Sequence, residues 1–165
     1  MADHVDRVVA QWAVERPELD VSPMEVFGRL KRLYRLVDAE LNRTFARHGL
    51  DAASFDVLAT LRRSGPPYRL TPTRLMQSAM VTSGAITQRL DRLEARGLVT
   101  RTRSDQDGRS RDVELTPDGH ALIDRALPDH VAGERRMLAG LDDDQRAALV
   151  DAMRALLAHL GDTSG

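Results

Sequence analysis

Arginines are concentrated in one stretch of the chain, where they could bind a polyanion. Between residues 62 and 111 the sequence has 11 arginines and 4 acids, a local charge of +7, whereas the other residues carry 13 bases and 21 acids, a charge of −8. Such segregation is typical of a basic binding surface carried on an acidic body. Charge alone favours an ordinary solvated face. The motifs around these arginines must therefore distinguish a binding surface from a solvated face.

A predicted β-hairpin holds four of these arginines. Two strand-like stretches, 98–103 and 111–115, flank a polar turn, and the four are Arg101, Arg103, Arg109 and Arg111. Arginine on a narrow ribbon suits the minor groove of DNA, where the negative potential is enhanced. Asp107 precedes Arg109 by two residues and would orient its guanidinium group. The alternative is an exposed hairpin that only adds solubility.

The helix before this hairpin, about residues 83–96, has the pattern of a recognition helix. At about 100° per residue, one side is apolar, with Ile86, Leu90 and Leu93. The opposite side carries Gly84, Gln88, Asp91, Arg92 and Ala95. Small residues such as Gly84 allow close approach to a duplex. Base edges or phosphates would be contacted by Ser83, Thr87 and Gln88, and phosphates by Arg92.

Capping residues and prolines predict the remaining helices. A first helix covers about residues 3–16, and Asp51 caps the third. Ser22 and Glu25 form the pattern of a capping box around Pro23, which predicts a second helix that ends at Gly49. Further helix starts are predicted at Thr71-Pro72, at Thr116-Pro117 and at Asp142, which forms a capping box with Gln145. Pro128 should kink or break the helix that contains it.

These elements predict a mainly α protein with a small β-hairpin wing. Two short helices joined by a tight turn and followed by a hairpin form a winged helix-turn-helix. The chain resembles the MarR family of transcriptional regulators in three runs, which are 93–99 (LEARGLV), 107–111 (DGRSR) and 115–119 (LTPDG). The resemblance covers about residues 22–160. It implies a homodimer that binds a pseudo-palindromic operator, with about one helical turn of DNA per half-site.

The resemblance also implies a division of the chain. Residues 1–21 would form an extra N-terminal helix and a linker, and residues 22–50 and 117–160 a helical dimerisation region. Residues 51–116 would form the DNA-binding lobe, and residues 161–165 a flexible tail. The apolar positions of the last helix, such as Leu149, Met153 and Leu156, fit a buried dimer face, although packing within one chain would produce the same pattern.

More narrowly, the chain resembles the urate-responsive, PecS-like MarR regulators. The resemblance rests on Trp12 with the run 15–24 (ERPELDVSPM), on Asp56, on Arg89 and on Arg101. In that group, residues at these positions form the urate site. The resemblance implies that Arg101 holds the urate anion and that Trp12 fixes it from the extra helix. Asp56, repelled by the anion, would then release Arg89 and so shift the recognition helix.

Each of these four residues also has an ordinary interpretation. Trp12 could be a core residue, Arg101 a phosphate contact, and Asp56 a local cap or ion-pair partner. An Asp56–Arg89 pair would satisfy a carboxylate within an apolar stretch, because an unpaired buried carboxylate is costly. A similar pocket could also take another anion, such as a tricarboxylate or a phenolic acid.

Other classes of protein fit the sequence poorly. The chain has no cysteine, so no thiolate chemistry is available. Its five histidines are scattered, and no catalytic or phosphate-binding motif is found, so we expect neither an enzyme nor a cofactor or metal. No run is apolar enough for a membrane helix or a signal peptide, which predicts a cytoplasmic protein. The remaining alternative is a winged-helix module for protein contacts, which would show no salt-dependent DNA binding.

Overall fold

The computed structural model of the chain describes residues 2–79, 86–103 and 111–162. Within these ranges the mainly α fold with a small wing is confirmed. The elements, in chain order, are α1 (His4–Glu15), α2 (Pro23–Arg47), α3 (Ala52–Arg63), β1 (Arg69–Leu70), α4 (Pro72–Ser78), α5 (Ile86–Ala95), β2 (Val99–Arg103), β3 (Arg111–Leu115), α6 (Pro117–Met137) and α7 (Asp143–His159). Among the described helices, none combines the length and hydropathy needed to cross a membrane.

Most of the predicted helix starts are confirmed by the contacts of their capping side chains. Asp51 accepts a hydrogen bond from the backbone N–H of Ser54, and Thr71 does the same from Arg74. Thr116 caps α6 in the same way, and Asp142 forms the predicted capping box with Gln145. These caps satisfy backbone donors that the first turn of a helix leaves without an intrahelical partner.

One local prediction is wrong, and a second is narrowed. Ser22 has helical backbone angles and makes no capping hydrogen bond with its side chain, and its N–H instead donates to Asp20 Oδ1 at 2.9 Å. The α2 helix therefore begins at Pro23 without the expected capping box. Pro128 does not break α6, which continues through it from Pro117 to Met137. Of the predicted kink or break, the kink stays a prediction.

The sheet has one strand more than the predicted hairpin. β3 lies between β1 and β2 and pairs antiparallel with both, with Arg69 opposite Glu114 and Arg101 opposite Val113. β1 was not predicted, because two residues show no alternation of apolar and polar side chains. This strand ties the start of α4 to the wing.

A single apolar core holds the winged lobe, which consists of α3, α4, α5 and the sheet, against α6. Leu58, Leu61, Leu75 and Leu93 are fully buried there, together with Ile123 of α6. The start of α6 lies against the turn that joins α5 to β2. A Cβ atom on Gly119 would stand 1.9 Å from the carbonyl oxygen of Leu98, so this close approach requires glycine.

The helical region, which consists of α1, α2, α6 and α7, leaves much of its apolar surface uncovered. α1 packs on α2, where Val5 lies over Gly28, and Arg29 donates hydrogen bonds to Asp3 and Asp6. α7 has no buried residue at all. The exposed apolar side chains of α2 and α7, with the residue that follows α7, include Leu30, Leu33, Leu36, Val150, Met153, Leu157 and Leu160.

Candidate nucleic-acid interface and effector site

The described part of the recognition helix, α5, has the predicted two sides. Leu90 and Leu93 are buried in the lobe core, and Thr87, Gln88 and Arg92 are exposed. An amide and a guanidinium group on one exposed side of a helix can reach base edges and phosphates. Ser83 and Gly84, which were predicted to start this contact surface, lie outside the described residues.

Beside this helix, the wing presents two arginines directly opposite each other. Arg103 at the end of β2 is paired in register with Arg111 at the start of β3, and both are exposed. Like charges opposite each other on neighbouring strands destabilise a sheet. Two exposed guanidinium groups side by side on the wing can contact phosphates. Asp107 and Arg109, the predicted residues of the wing tip, lie outside the described residues.

Arg101 of β2 does not point away from the protein but holds α5. Its Nη2 atom donates to Asp91 Oδ1 at 2.6 Å and to the carbonyl oxygen of Thr87 at 3.4 Å. Its Nη1 atom lies 3.1 Å from Glu94 Oε2. One guanidinium group thus clasps two turns of the recognition helix to the wing, and we name this set of contacts the Arg101 clasp.

The clasp gives a partner to Asp91, which the helical rotation put on the side opposite the apolar stripe and which is exposed in the structure. Asp91 and Glu94 were not recognised as functional residues, because their partner lies on another element. Thr87, Asp91 and Glu94 are spaced four and three residues apart, so they share one side of the helix. That side flanks the buried stripe. Arg101 follows α5 by only six residues, and this arginine, next to a helix with two acids on one side, is the signal that could have identified the clasp.

Two other arginines of α5, Arg89 and Arg92, act on Asp51 at the start of α3. Burial tends to raise the pKa of Asp51, but the hydrogen bonds from Ser54 and the positive charges of Arg89 and Arg92 lower this pKa below its ordinary value. Asp56 lies half-buried one turn further along α3. α3 packs directly on α5, so the helices that carry Asp56 and Arg89 are neighbours, and the Asp56–Arg89 pair itself stays a prediction.

Trp12 lies on the extra helix, apart from the clasp. Its side chain is 42% exposed, which is more than expected of a core tryptophan. It borders an open hollow lined by Ala10, Gln11, Val14 and Glu15 of the same helix. α1 packs mainly on α2. The four predicted effector residues lie on four elements, with Trp12 on α1, Asp56 on α3, Arg89 on α5 and Arg101 on β2.

Acidic and histidine side chains can also act as metal ligands. Over residues 2–79, 86–103 and 111–162, no group of three or more His, Asp or Glu side chains could hold a metal ion. The acidic run 142–144 has a structural role instead, because Asp142 caps α7 and acids in a first helical turn favour the helix dipole.

Comparisons with known proteins agree with this geometry. Residues 48–110 match the sequence profile of the MarR family. The chain is 41% identical over 156 residues to the HTH-type transcriptional regulator PecS of Dickeya dadantii, a match that covers 94% of this chain and 92% of that protein.

Two solved structures share the fold. One is Sco3205, a MarR family transcriptional regulator from Streptomyces coelicolor in complex with DNA, with a TM-score of 0.77 and 26% identity over 87% of this chain and 90% of that chain. The other concerns the regulation of DNA binding of Bordetella bronchiseptica BpsR by 6-hydroxynicotinic acid, with a TM-score of 0.71 and 28% identity over 79% of this chain and 91% of that chain.

Proposed function

The chain belongs to the MarR family of transcriptional regulators, and we propose that it is a repressor released from its operator by a small anion, in the first place urate. In this proposal a homodimer binds a pseudo-palindromic operator, one winged lobe per half-site. The coarser statement, a ligand-responsive MarR-type regulator and not an enzyme, follows from the family itself.

One observation carries the DNA-binding part of the proposal: exposed Gln88 and Arg92 lie on the recognition helix, and Arg103 and Arg111 face each other on the adjoining wing. A helix in the major groove and a basic ribbon at the neighbouring minor groove match the docking of this motif on DNA. Ser83, Gly84, Thr87, Asp107 and Arg109 complete the proposed interface.

The uncovered apolar surface supports the homodimer. α7 exposes Val150, Met153 and Leu157 along one side, and the exposed Leu160 follows directly after the helix. Contiguous apolar surface of this kind marks a protein contact. We assign residues 22–50 and 117–160 to this dimerisation region, residues 51–116 to the DNA-binding lobe, residues 1–21 to the extra helix with its linker, and residues 161–165 to the flexible tail.

The proposed effector site uses Arg101, Asp56, Arg89 and Trp12. Urate is a planar monoanion at neutral pH, and a guanidinium group binds such an anion through charge-assisted hydrogen bonds. Arg101 is only partly buried and lies at the contact between wing and recognition helix, where a bound anion would alter both. BpsR, which responds to an aromatic carboxylic acid, favours 6-hydroxynicotinate or a related phenolic acid as the second candidate ligand, and a tricarboxylate is the third.

The test is fluorescence anisotropy of a labelled duplex from the gene's own upstream region. Titration with protein should show tight binding that weakens about a thousandfold between about 50 and 200 mM salt, because phosphate contacts release counterions. Added urate should then release the duplex from the wild type. Asp56→Ala should fold like the wild type by circular dichroism. Urate should change its affinity for the duplex less than it changes that of the wild type, because no Asp56–Arg89 contact is left for urate to release.

Each outcome has a distinct meaning. Salt-dependent binding released by urate supports the whole proposal. If urate does not release the duplex but 6-hydroxynicotinate or citrate does, the protein is a repressor with a ligand other than urate. The absence of salt-dependent binding would reject the DNA-binding function in favour of a protein-contact module.

A further inference from the structure

We propose that Asp91 and Glu94 are internal counterions that an anionic effector must displace from Arg101, so that effector binding acts on the recognition helix directly through the Arg101 clasp. This inference rests on the proposed function, because it assigns the regulation of the same site. It adds two acidic residues to the four effector residues, and it gives Arg101 a role in positioning α5 when no ligand is bound.

The first argument is electrostatic. Two carboxylates contact one guanidinium group, with distances of 2.6 Å from Nη2 to Asp91 and 3.1 Å from Nη1 to Glu94. The clasp therefore carries a local charge of −1. An incoming anion is repelled unless a carboxylate withdraws, because like charges in a shared site disfavour one another. Effector and carboxylates thus compete for the same N–H donors.

The second argument concerns which partner moves. The Arg101 side chain is 22% exposed, whereas the side chains of Asp91 and Glu94 are 55% and 39% exposed. Exposed ion pairs are weak, and their carboxylates can return to water at little cost. Arg101 stays in place because its strand is paired with β3, where it lies opposite the fully buried Val113.

The third argument is the position of the clasp on α5. Asp91 lies three residues after Gln88 and directly before Arg92, two residues of the proposed DNA surface. Loss of the Asp91 and Glu94 contacts would release the middle and end of the helix from the wing. Ligand and DNA would then oppose each other through one equilibrium, and their effects on each other's binding must be equal.

The experiment compares the wild type with the double variant Asp91→Asn/Glu94→Gln. Both substitutions remove charge and keep side-chain shape, so the clasp loses its counterions but not its volume. Asp118→Asn, which removes one exposed acid at the start of α6, is the matched control. Calorimetry measures urate affinity, and anisotropy measures operator affinity with and without saturating urate.

We expect the double variant to bind urate about tenfold more tightly than the wild type, a factor typical of coupled sites. Urate should also change its operator affinity less than it changes that of the wild type. Asp118→Asn should match the wild type in both measurements. A urea unfolding curve verifies that each variant is folded.

Equal urate affinity and equal release of DNA by wild type and double variant would overturn the clasp but leave the urate-responsive repressor intact. If neither protein binds urate, 6-hydroxynicotinate and citrate become the probes, and binding by the double variant alone would support the clasp. If neither protein binds any of the three probes, both the counterion role of the clasp and the proposed effector are rejected. If the wild type binds urate but not DNA, the proposed repressor function is rejected. The urate affinities of the wild type and the double variant then test the counterion role of the clasp.

Discussion

The winged lobe and the helical region differ in how much apolar surface one chain buries. In the lobe, Leu58 and Leu93 are fully buried in a core that α6 closes. In the helical region, Leu36 of α2 is 61% exposed, and Leu157 of α7 is 49% exposed. The lobe is therefore complete within one chain, whereas the helical region has an apolar surface that a second chain would cover. This difference supports the proposed homodimer, in which the second chain would cover the exposed apolar side chains of α2 and α7.

The largest effect is expected in the lobe core. Leu58→Ala should lower the free energy of unfolding by about 3 kcal/mol, because it removes buried methyl groups and leaves a cavity. Urea unfolding measures the change. Leu58→Met, which conserves volume, is the matched control and should cost less than about 1.5 kcal/mol. A loss below about 1 kcal/mol for Leu58→Ala would mean that the lobe core is less complete than its burial indicates.

An intermediate effect is expected on the exposed side of α7. Leu157→Asp places a charge in the proposed dimer face, so it should shift the protein towards monomers and weaken operator binding by at least about tenfold, because half of the phosphate contacts are lost. Sedimentation equilibrium and anisotropy measure the two results. Ala155→Asp places the same charge on the opposite side of the helix and should change neither. Unchanged assembly of the Leu157 variant would remove α7 from the dimer face.

The smallest effect is expected at the seam between the two regions. Arg62 of α3 donates to Asp124 of α6 at 2.8 Å, and this hydrogen bond, together with the charges of Arg62 and His120, lowers the pKa of Asp124. A carboxylate with a lowered pKa stabilises the folded state above its ordinary pKa of about 3.9, and the contribution is lost as the pH falls through the lower folded value.

Asp124→Asn should therefore be slightly less stable than the wild type near pH 5, and the difference should shrink as the pH falls towards about 3. Thermal unfolding over this range measures it, and Asp118→Asn serves as the control. Because both partners are well exposed, the effect should be small. A difference that grows on acidification would contradict the assigned direction.

Local signals in the sequence predicted most of the fold correctly. Asp51, Thr71, Thr116 and Asp142 cap the helices that they were expected to cap, because a cap involves only a few neighbouring residues. Gly49 likewise has the left-handed φ of 65° that ends α2. Ser22 does not form its predicted capping box, because the carboxylate of Asp20 accepts the hydrogen bond from the backbone N–H of Ser22.

The candidate site was predicted less completely. The sequence predicted an exposed basic surface from the types and positions of four residues. All four are exposed in the structure, namely Gln88, Arg92, Arg103 and Arg111. The partners of Arg101 were missed, because a helical rotation shows which residues share a side but not which element lies against that side. The assignment of Trp12, Asp56, Arg89 and Arg101 to one effector site remains a prediction.

The sequence by itself determined the order of helices, their capped ends, the buried stripe of the recognition helix and the membership of the MarR family. All of these depend on residues within a few positions of one another or on short motifs. Only the tertiary structure decided that β1 joins the sheet, that α6 runs through Pro128, and that Arg101 holds Asp91 and Glu94. These features depend on contacts between separate elements, and such contacts are settled when the whole chain packs around its core.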